Sequence, residues 1–390
     1  MNRVLSGLEV LLKNGFHGLG QKVGLLIHPA SVASDLTHAV EIFTEKLGGR
    51  LVCLMGPQHG LYGETQDNMI EWEDFHEATF GLPVYSLYGK IRKPHKHILD
   101  TIDTLVIDLQ DVGARYYTFI WTMALCLEAC AETNVKVVVL DRPNPLGGLK
   151  VEGNVSQGDF LSFVGLFPLP ACYGLTIGEL ACLLNREHRL DAHLTVVWME
   201  GWNRRMSFAD TGLPWVAPSP NMPGLQTARV YPGMCLLEGT NVSEGRGTTL
   251  PFEIFGAPFI QPWNLVRELR DHSLPGVVFR PCYFQPTFHK FQGELCAGAQ
   301  LHVTNWASFK PYLTAIAILQ AIHRLYPDRL KWKPPPYEYE YEKLPIDILC
   351  GTDQVRRQIE EHTPLTDMEA GWAAGLDEFL ATRRNYLHYE

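Results

Sequence analysis

Two stretches of this chain concentrate the functional groups that acid–base chemistry needs. The apolar run LVCLM at residues 51–55 breaks at Gly56-Pro57-Gln58-His59-Gly60, and Gly63, Glu64, Thr65, Gln66, Asp67 and Asn68 follow. A second run, TLVID at 104–108, empties into Gln110-Asp111-Val112-Gly113-Ala114-Arg115-Tyr116-Tyr117. In open parallel sheets the carboxyl ends of the strands line the ligand crevice, so both stretches point at one site. Candidate carboxylates are Glu64, Asp67, Asp108, Asp111, Asp141, Glu238, Glu244 and Glu253. Two carboxylates across a cleft are the hardware of glycoside hydrolysis: one protonates the leaving oxygen, the other serves as base or nucleophile. Asp108 reads equally well as a buried carboxylate bonding loop amides; Asp111, beside Arg115, is better placed for the crevice.

Arg115 can hold a carboxylate bidentately, whether the protein's own or a substrate's. Tyr116, Tyr117 and Phe119 offer a stacking face for a sugar ring or pack into the core. The DRPNP sequence adds Arg142 and Asn144 beside Asp141, stiffened by Pro143 and Pro145. The NVSEGR sequence presents Glu244 and Arg246 on a glycine-flanked loop, as site residues or as a surface ion pair. Cofactor motifs fail their context tests. Gly18, Gly20 and Gly24 precede the first strand instead of following it, and neither a P-loop nor a GxSxG elbow occurs. His95 and His97 lie among lysines, and Cys126 and Cys130 share one helix face. No cofactor and no metal are expected.

The elements that must position these groups alternate. Helical periodicity marks 6–14, 31–47 (beginning near Ser34 and Asp35), 94–101, 120–133 and 176–185. Between them lie apolar runs at 22–28, 51–55, 83–88, 104–109, 136–140 and 194–199, which read as strands. Such alternation predicts an α/β fold with a parallel, doubly wound sheet. From 212 to 256 the chain is dense in Gly, Pro, Asn and Thr, more consistent with a functional wall than a linker. Helices at 262–271, 309–326, 353–361 and 367–389, with strands at 277–283 and 296–304, make a second, smaller α/β domain. The boundary is expected near 228, giving domains of 1–228 and 229–390.

At 390 residues the chain suits two domains, and 46% hydrophobic with 19% charged residues is ordinary for a globular protein. A formal charge of −10 argues against a nucleic-acid partner. No apolar run reaches the ~18 residues that a membrane span needs. The amino terminus lacks a signal-peptide pattern, and nine cysteines, an odd number, suit free thiols in a reducing compartment. A cytoplasmic protein acting on a small molecule is the expectation.

GPQHGLYGETQDNM, IDLQDVGARYYTF, VLDRPNPLGG, PSPNMP, LEGTNVSEGRGTTLPFEIFGAP and RRNYLHY resemble, in order and spacing, the NamZ family of exo-acting β-N-acetylmuramidases, formerly the domain of unknown function DUF1343. The resemblance spans nearly the whole chain. It implies a Rossmann-like amino-terminal domain without a dinucleotide, a smaller carboxyl-terminal domain and an active-site cleft between them. It also implies hydrolysis of terminal non-reducing N-acetylmuramic acid from soluble peptidoglycan fragments, as in cell-wall recycling. Arg115, Arg142 or Arg246 would then read the lactyl carboxylate, with Gln58, Tyr117, Asn144 and Asn221 as further substrate contacts. The family commonly has Pro-Glu-His-Gly where this chain has Gln58, and an amide cannot donate or accept a proton in acid–base catalysis at neutral pH. The expectation is that Glu64 supplies the missing carboxylate, His59 orients it, and Asp111 or Glu244 is the second. The alternative is a catalytically silent muropeptide- or sugar-binding protein.

Overall fold

The computed structural model describes residues 3–67 and 69–390. Seven strands form the larger sheet: β1 (Val23–Leu26), β2 (Leu51–Gly56), β3 (Phe75–Glu77), β4 (Leu82–Ser86), β5 (Thr104–Ile107), β6 (Lys136–Leu140) and β7 (Leu194–Val197). Their spatial order is β3-β4-β2-β1-β5-β6-β7, and every pair is parallel except the edge pair β3/β4. The chain thus leaves β1 in one direction through β2 to β4, then returns to β5 and leaves in the other. The loops that follow β2 and β5 flank that reversal, where doubly wound sheets bind ligands. β1 and β5 are buried along their whole length, as their unbroken apolar sequences require.

Helices Ala39–Leu47, Phe119–Thr133 and Ile177–Glu187 cover the sheet. The last begins at a capping box in which Thr176 and Glu179 each satisfy the other's backbone amide. Three local expectations are corrected. The first concerns 31–47, where the helix starts only at Ala39, with His38 as its cap. Asp35 instead accepts the Thr37 amide at 3.0 Å, a turn that competes with helix. β3 was not anticipated, since three half-exposed residues carry no periodicity. The Gly- and Pro-rich stretch holds a helix, Leu225–Met234, with Pro232 inside it. Its Gly233 is required by close packing: a Cβ there would lie 1.9 Å from the Pro311 carbonyl oxygen.

Beyond it, β8 (Ile254–Ala257), β9 (Val277–Phe284) and β10 (Cys296–Val303) form an antiparallel sheet in the order β8-β10-β9. Helices Pro262–Asp271 and Pro311–Leu325 pack with it. One apolar core runs through both domains, from Leu26 and Ile107 to Ile316 and Phe379. The last helix, Leu365–Arg383, ends earlier than its periodicity suggests because the following residues dock on the larger sheet. Tyr389 hydrogen-bonds Asp141, and His388 stacks on Trp198 at 3.9 Å. Among the described residues no helix is long and apolar enough to cross a membrane.

Candidate active site

β2 delivers Gln58 and His59 to a pocket at the carboxyl edge of the sheet, and the loop after β5 delivers Tyr117 and Thr118. The second domain closes it with Glu238, Arg246 and Glu338, and Asn221 stands at the seam. The cavity volume is about 30 Å³, room for a water or two. Helix Phe119–Thr133 starts at this pocket, and its positive end favours developing negative charge. Thr118, at the cap position, makes no side-chain cap bond. Its hydroxyl donates instead to Gln58 Oε1 at 2.6 Å.

Gln58 Nε2 then faces Glu338 Oε1 at 3.0 Å, and the Tyr88 hydroxyl meets Glu338 Oε2 at 2.8 Å. Burial lifts the Glu338 carboxyl to about 7; Glu238 adds to the rise, while the Tyr88 and Gln58 hydrogen bonds oppose it. Glu338 sits in a two-residue turn closed by paired backbone bonds between Tyr337 and Glu340, each 2.9 Å. Both turn residues are left-handed, with φ +44° at Glu338 and +68° at Tyr339. Neither is a glycine, so each costs on the order of 1 kcal/mol or more. Tyr339 is held by stacking: Arg92 lies 3.8 Å from its ring centre, and Tyr88 packs edge-on at 5.7 Å.

Arg246 lines the same pocket. Its Nη2 pairs with Glu238 at 2.8 Å and its Nε lies 3.4 Å from Glu244. Nη1 is buried and has no hydrogen-bond partner among the described residues. Glu238 also accepts from the Tyr337 hydroxyl at 2.6 Å. His59 is left-handed at φ +74° and its Nδ1 lies 2.8 Å from the Thr65 carbonyl oxygen. A carbonyl only accepts, so Nδ1 carries the proton and Nε2 is the basic nitrogen. Burial lowers this imidazole to about 4, which keeps it neutral near pH 7.

Gln58, His59, Tyr117, Asn221, Glu238 and Arg246 are therefore brought together; Glu64, Asp111, Glu244, Arg115, Arg142 and Asn144 do not line the pocket. Glu64 is exposed, and its carboxylate folds back onto the Tyr62 amide at 3.0 Å, so it cannot take the place of a glutamate at 58. Asp111 is buried away from the pocket, accepting from the Tyr173 hydroxyl and from the Gly113 amide at 2.9 Å. Burial raises its carboxyl to about 6. Glu244 lies behind Arg246. Burial alone would raise it, but Lys290 at 2.8 Å, His289 and Arg246 outweigh that and hold it well below the usual range, unsuited to donate a proton.

Arg115 ties the domains together. It donates to the carbonyls of Asn154 and Leu349, at 2.8 Å each, and to that of Leu169. Arg142 is locked in a bidentate pair with buried Asp108, at 2.6 and 2.8 Å. Asn144 shapes a turn, accepting from the Leu146 amide and donating to the Leu175 carbonyl at 2.9 Å each. These three are structural donors, not open ligands. Glu338, Thr118 and Tyr88 were not anticipated; Glu238 appeared only as one of eight carboxylates.

The loop that leaves β2 is tied to residues beyond the large sheet. Asn221 Nδ2 donates to the Gln66 carbonyl at 2.7 Å, the Tyr339 hydroxyl to Glu71 at 3.1 Å, and the Glu338 amide to Met69 sulfur at 3.3 Å. A larger cavity of about 670 Å³ lies elsewhere, lined by Lys150, Glu152, Trp306 and Trp372. Of its two carboxyl groups, Glu369 is ion-paired with Lys310, which leaves Glu152 alone, without the facing pair the smaller pocket has.

Comparison with known proteins identifies the family. Residues 23–226 match the amino-terminal family model of exo-β-N-acetylmuramidase NamZ, and residues 229–389 match the carboxyl-terminal one. The chain is 44% identical over 389 residues to the peptidoglycan β-N-acetylmuramidase NamZ of Bacillus subtilis (strain 168), covering 99% of this chain and 92% of that protein. A crystal structure of a DUF1343-family protein from Bacteroides fragilis NCTC 9343 superposes with a TM-score of 0.89 at 36% identity, covering 100% of this chain and 99% of that one. A second from the same organism gives 0.77 at 27% identity, with the same coverage. The chain belongs to the NamZ family, formerly DUF1343, and has its two-domain α/β architecture.

Proposed function

We propose that this protein hydrolyses β-glycosides of N-acetylmuramic acid, releasing the terminal non-reducing residue from soluble peptidoglycan fragments by carboxyl acid–base chemistry without a cofactor. The observation that carries this reading is Arg246, a buried guanidinium in the pocket wall whose Nη1 has no hydrogen-bond partner among the described residues. A muramic residue differs from glucosamine by a lactyl carboxylate, and an Arg fork is the natural reader of such a group. The pocket also carries Glu238 and Glu338, two carboxyl groups in different surroundings: one ion-paired with Arg246, the other buried against an amide and a phenol. Environments that separate two carboxyls in this way suit paired acid and base roles. The relative from Bacillus subtilis, a peptidoglycan β-N-acetylmuramidase, supports the substrate class. All nine cysteines are free and eight are buried, which supports action in a reducing compartment on fragments already soluble, as in cell-wall recycling.

The test is release of chromophore from an aryl β-N-acetylmuraminide, with the N-acetylglucosaminide alongside. Turnover of the muraminide alone is expected, and silence on both refutes the reading. The rival is a muropeptide-binding protein without turnover, favoured by one observation: an amide, Gln58, at the end of β2. Saturable binding of a muropeptide with no product would decide for it.

A further inference from the structure

Gln58 cannot move a proton, yet both ends of its amide are tethered in the pocket. Thr118 donates to its Oε1 at 2.6 Å, which commits Nε2 to donate toward Glu338 Oε1 at 3.0 Å. With Oε1 occupied as an acceptor, the proton of a neutral Glu338 belongs on Oε2. There the Tyr88 hydroxyl, 2.8 Å away, can accept from Oε2–H or donate to the ionised oxygen. The strained turn at Glu338 and Tyr339 projects this carboxyl from the second domain into the first. Strain of this kind in non-glycine residues persists where the surroundings over-determine it, and it clusters at functional positions.

Resting on the muramidase reading, we propose that Glu338 is the catalytic acid of this protein, with Gln58 and Tyr88 as the residues that position its carboxyl. In the step, the Oε2 proton passes to the glycosidic oxygen. The C1–O bond breaks and its electron pair stays on the leaving alcohol. A water oxygen bonds to C1 while Glu238 takes that water's proton, and solvent exchange returns Glu238 and Glu338 to their starting states. One water is consumed, and the products are a free muramic acid residue and the shortened alcohol. Glu338 is faced by Gln58, Tyr88, Glu238 and Arg246. Tyr88 is pushed well above its usual range by burial and by Glu338. Arg246 is held charged by Glu238 and Glu244 against the effect of burial. The acid itself lies at about 7, raised by burial and by Glu238, suited to proton donation near neutral pH.

The test compares Glu338→Gln with wild type on two β-N-acetylmuraminides, one with an N-acetylglucosamine leaving group and one with 2,4-dinitrophenol. A lost acid matters when the leaving alcohol needs a proton and little when it does not. The expected loss is about 10²- to 10⁴-fold on the disaccharide and under about tenfold on the dinitrophenyl glycoside, with the alkaline limb of kcat/KM abolished. Glu338→Asp should recover part of the disaccharide rate. Tyr88→Phe should shift the alkaline limb, a change that a purely structural role for Tyr88 would not produce. Equal losses on both substrates, or wild-type rates in Glu338→Gln, overturn the assignment while leaving the muramidase reading intact. A folded wild type that turns over neither substrate overturns that reading, and the acid assignment with it.

Discussion

Gln58→Glu is a small steric change with a large electrostatic consequence. The atom replaced, Nε2, stands 3.0 Å from Glu338 Oε1 inside a buried pocket. Two carboxylates at that separation repel by about 5 kcal/mol at an effective dielectric constant of about 20, which corresponds to about 4 pH units. The pair therefore shares one proton through neutral pH and loses it only under alkaline conditions, as paired carboxyls do. Thr118 still donates to the new side chain, so the geometry is retained. With Glu338, whose carboxyl burial lifts to about 7, as the proposed acid, the alkaline limb should move upward by at least one unit in the variant. The assay is kcat/KM on a muramyl disaccharide from pH 5 to 9, with the thermal midpoint measured in the same buffers. An alkaline limb that stays in place in a folded variant refutes the reasoning, because the limb then belongs to another group. A silent binding protein predicts a different pattern: no turnover in the parent, and turnover gained in the variant.

Glu64→Gln should leave kcat/KM within about threefold of wild type, since the carboxylate is exposed and bonds its own loop; a general acid or base would cost about 10²-fold or more. Arg246→Lys keeps the charge facing Glu238 and Glu244 but loses the fork. A charge-assisted hydrogen bond contributes about 1.5–3 kcal/mol, so kcat/KM on the muraminide should fall at least about tenfold, while binding of the N-acetylglucosaminide, by calorimetry, is little changed. Glu152, raised to about 7 by burial, binds a proton in the folded state that the unfolded chain releases near ~4.3. Its stabilising contribution is complete below that lower value and is lost as pH rises through about 7. Glu152→Gln should therefore raise the thermal midpoint relative to wild type more at pH 8 than at pH 5, and an equal difference at both would refute this.

The crevice was legible because β2 and β5 announce themselves: each is an apolar run that stops abruptly in polar residues, and parallel topology then places both ends together. Gln58, His59 and Tyr117 follow from that local rule. Asn221 and Arg246 were reachable only as parts of unusual Gly- and Pro-rich segments. The arginines of the crevice loops misled for a physical reason. Arg115 and Arg142 carry the same fork that reads a substrate carboxylate, but buried carbonyls at the domain junction and buried Asp108 claim it first. Those partners lie up to 234 positions away in sequence, beyond the reach of a motif. Glu338 was hidden more thoroughly. It lies in Tyr337-Glu338-Tyr339-Glu340-Tyr341-Glu342, whose regular alternation of ring and charge suggests a solvated surface, and a left-handed turn without glycine gives no turn signal.

Exo action has a physical basis in the same geometry. Arg246 and Glu238 line the pocket with Glu338, and Phe252 lies 5.0 Å from the Arg246 guanidinium and backs it. A cavity of about 30 Å³ is smaller than a sugar ring, so binding substrate requires the pocket to widen. The loop after β2 is tied through Gln66, Asp67, Met69 and Glu71 to Asn221, His289, Glu338 and Tyr339. Each such bond contributes only about 1 kcal/mol net. On the muramidase reading, an exo-acting site needs only one side to open, and the Arg246 wall, held by two ion pairs, is the side built to stay closed. A glycan can then insert its terminal residue but not thread through. The Met69 contact ends on the backbone amide of Glu338 itself, so the loop after β2 is coupled directly to the carboxyl proposed as the acid.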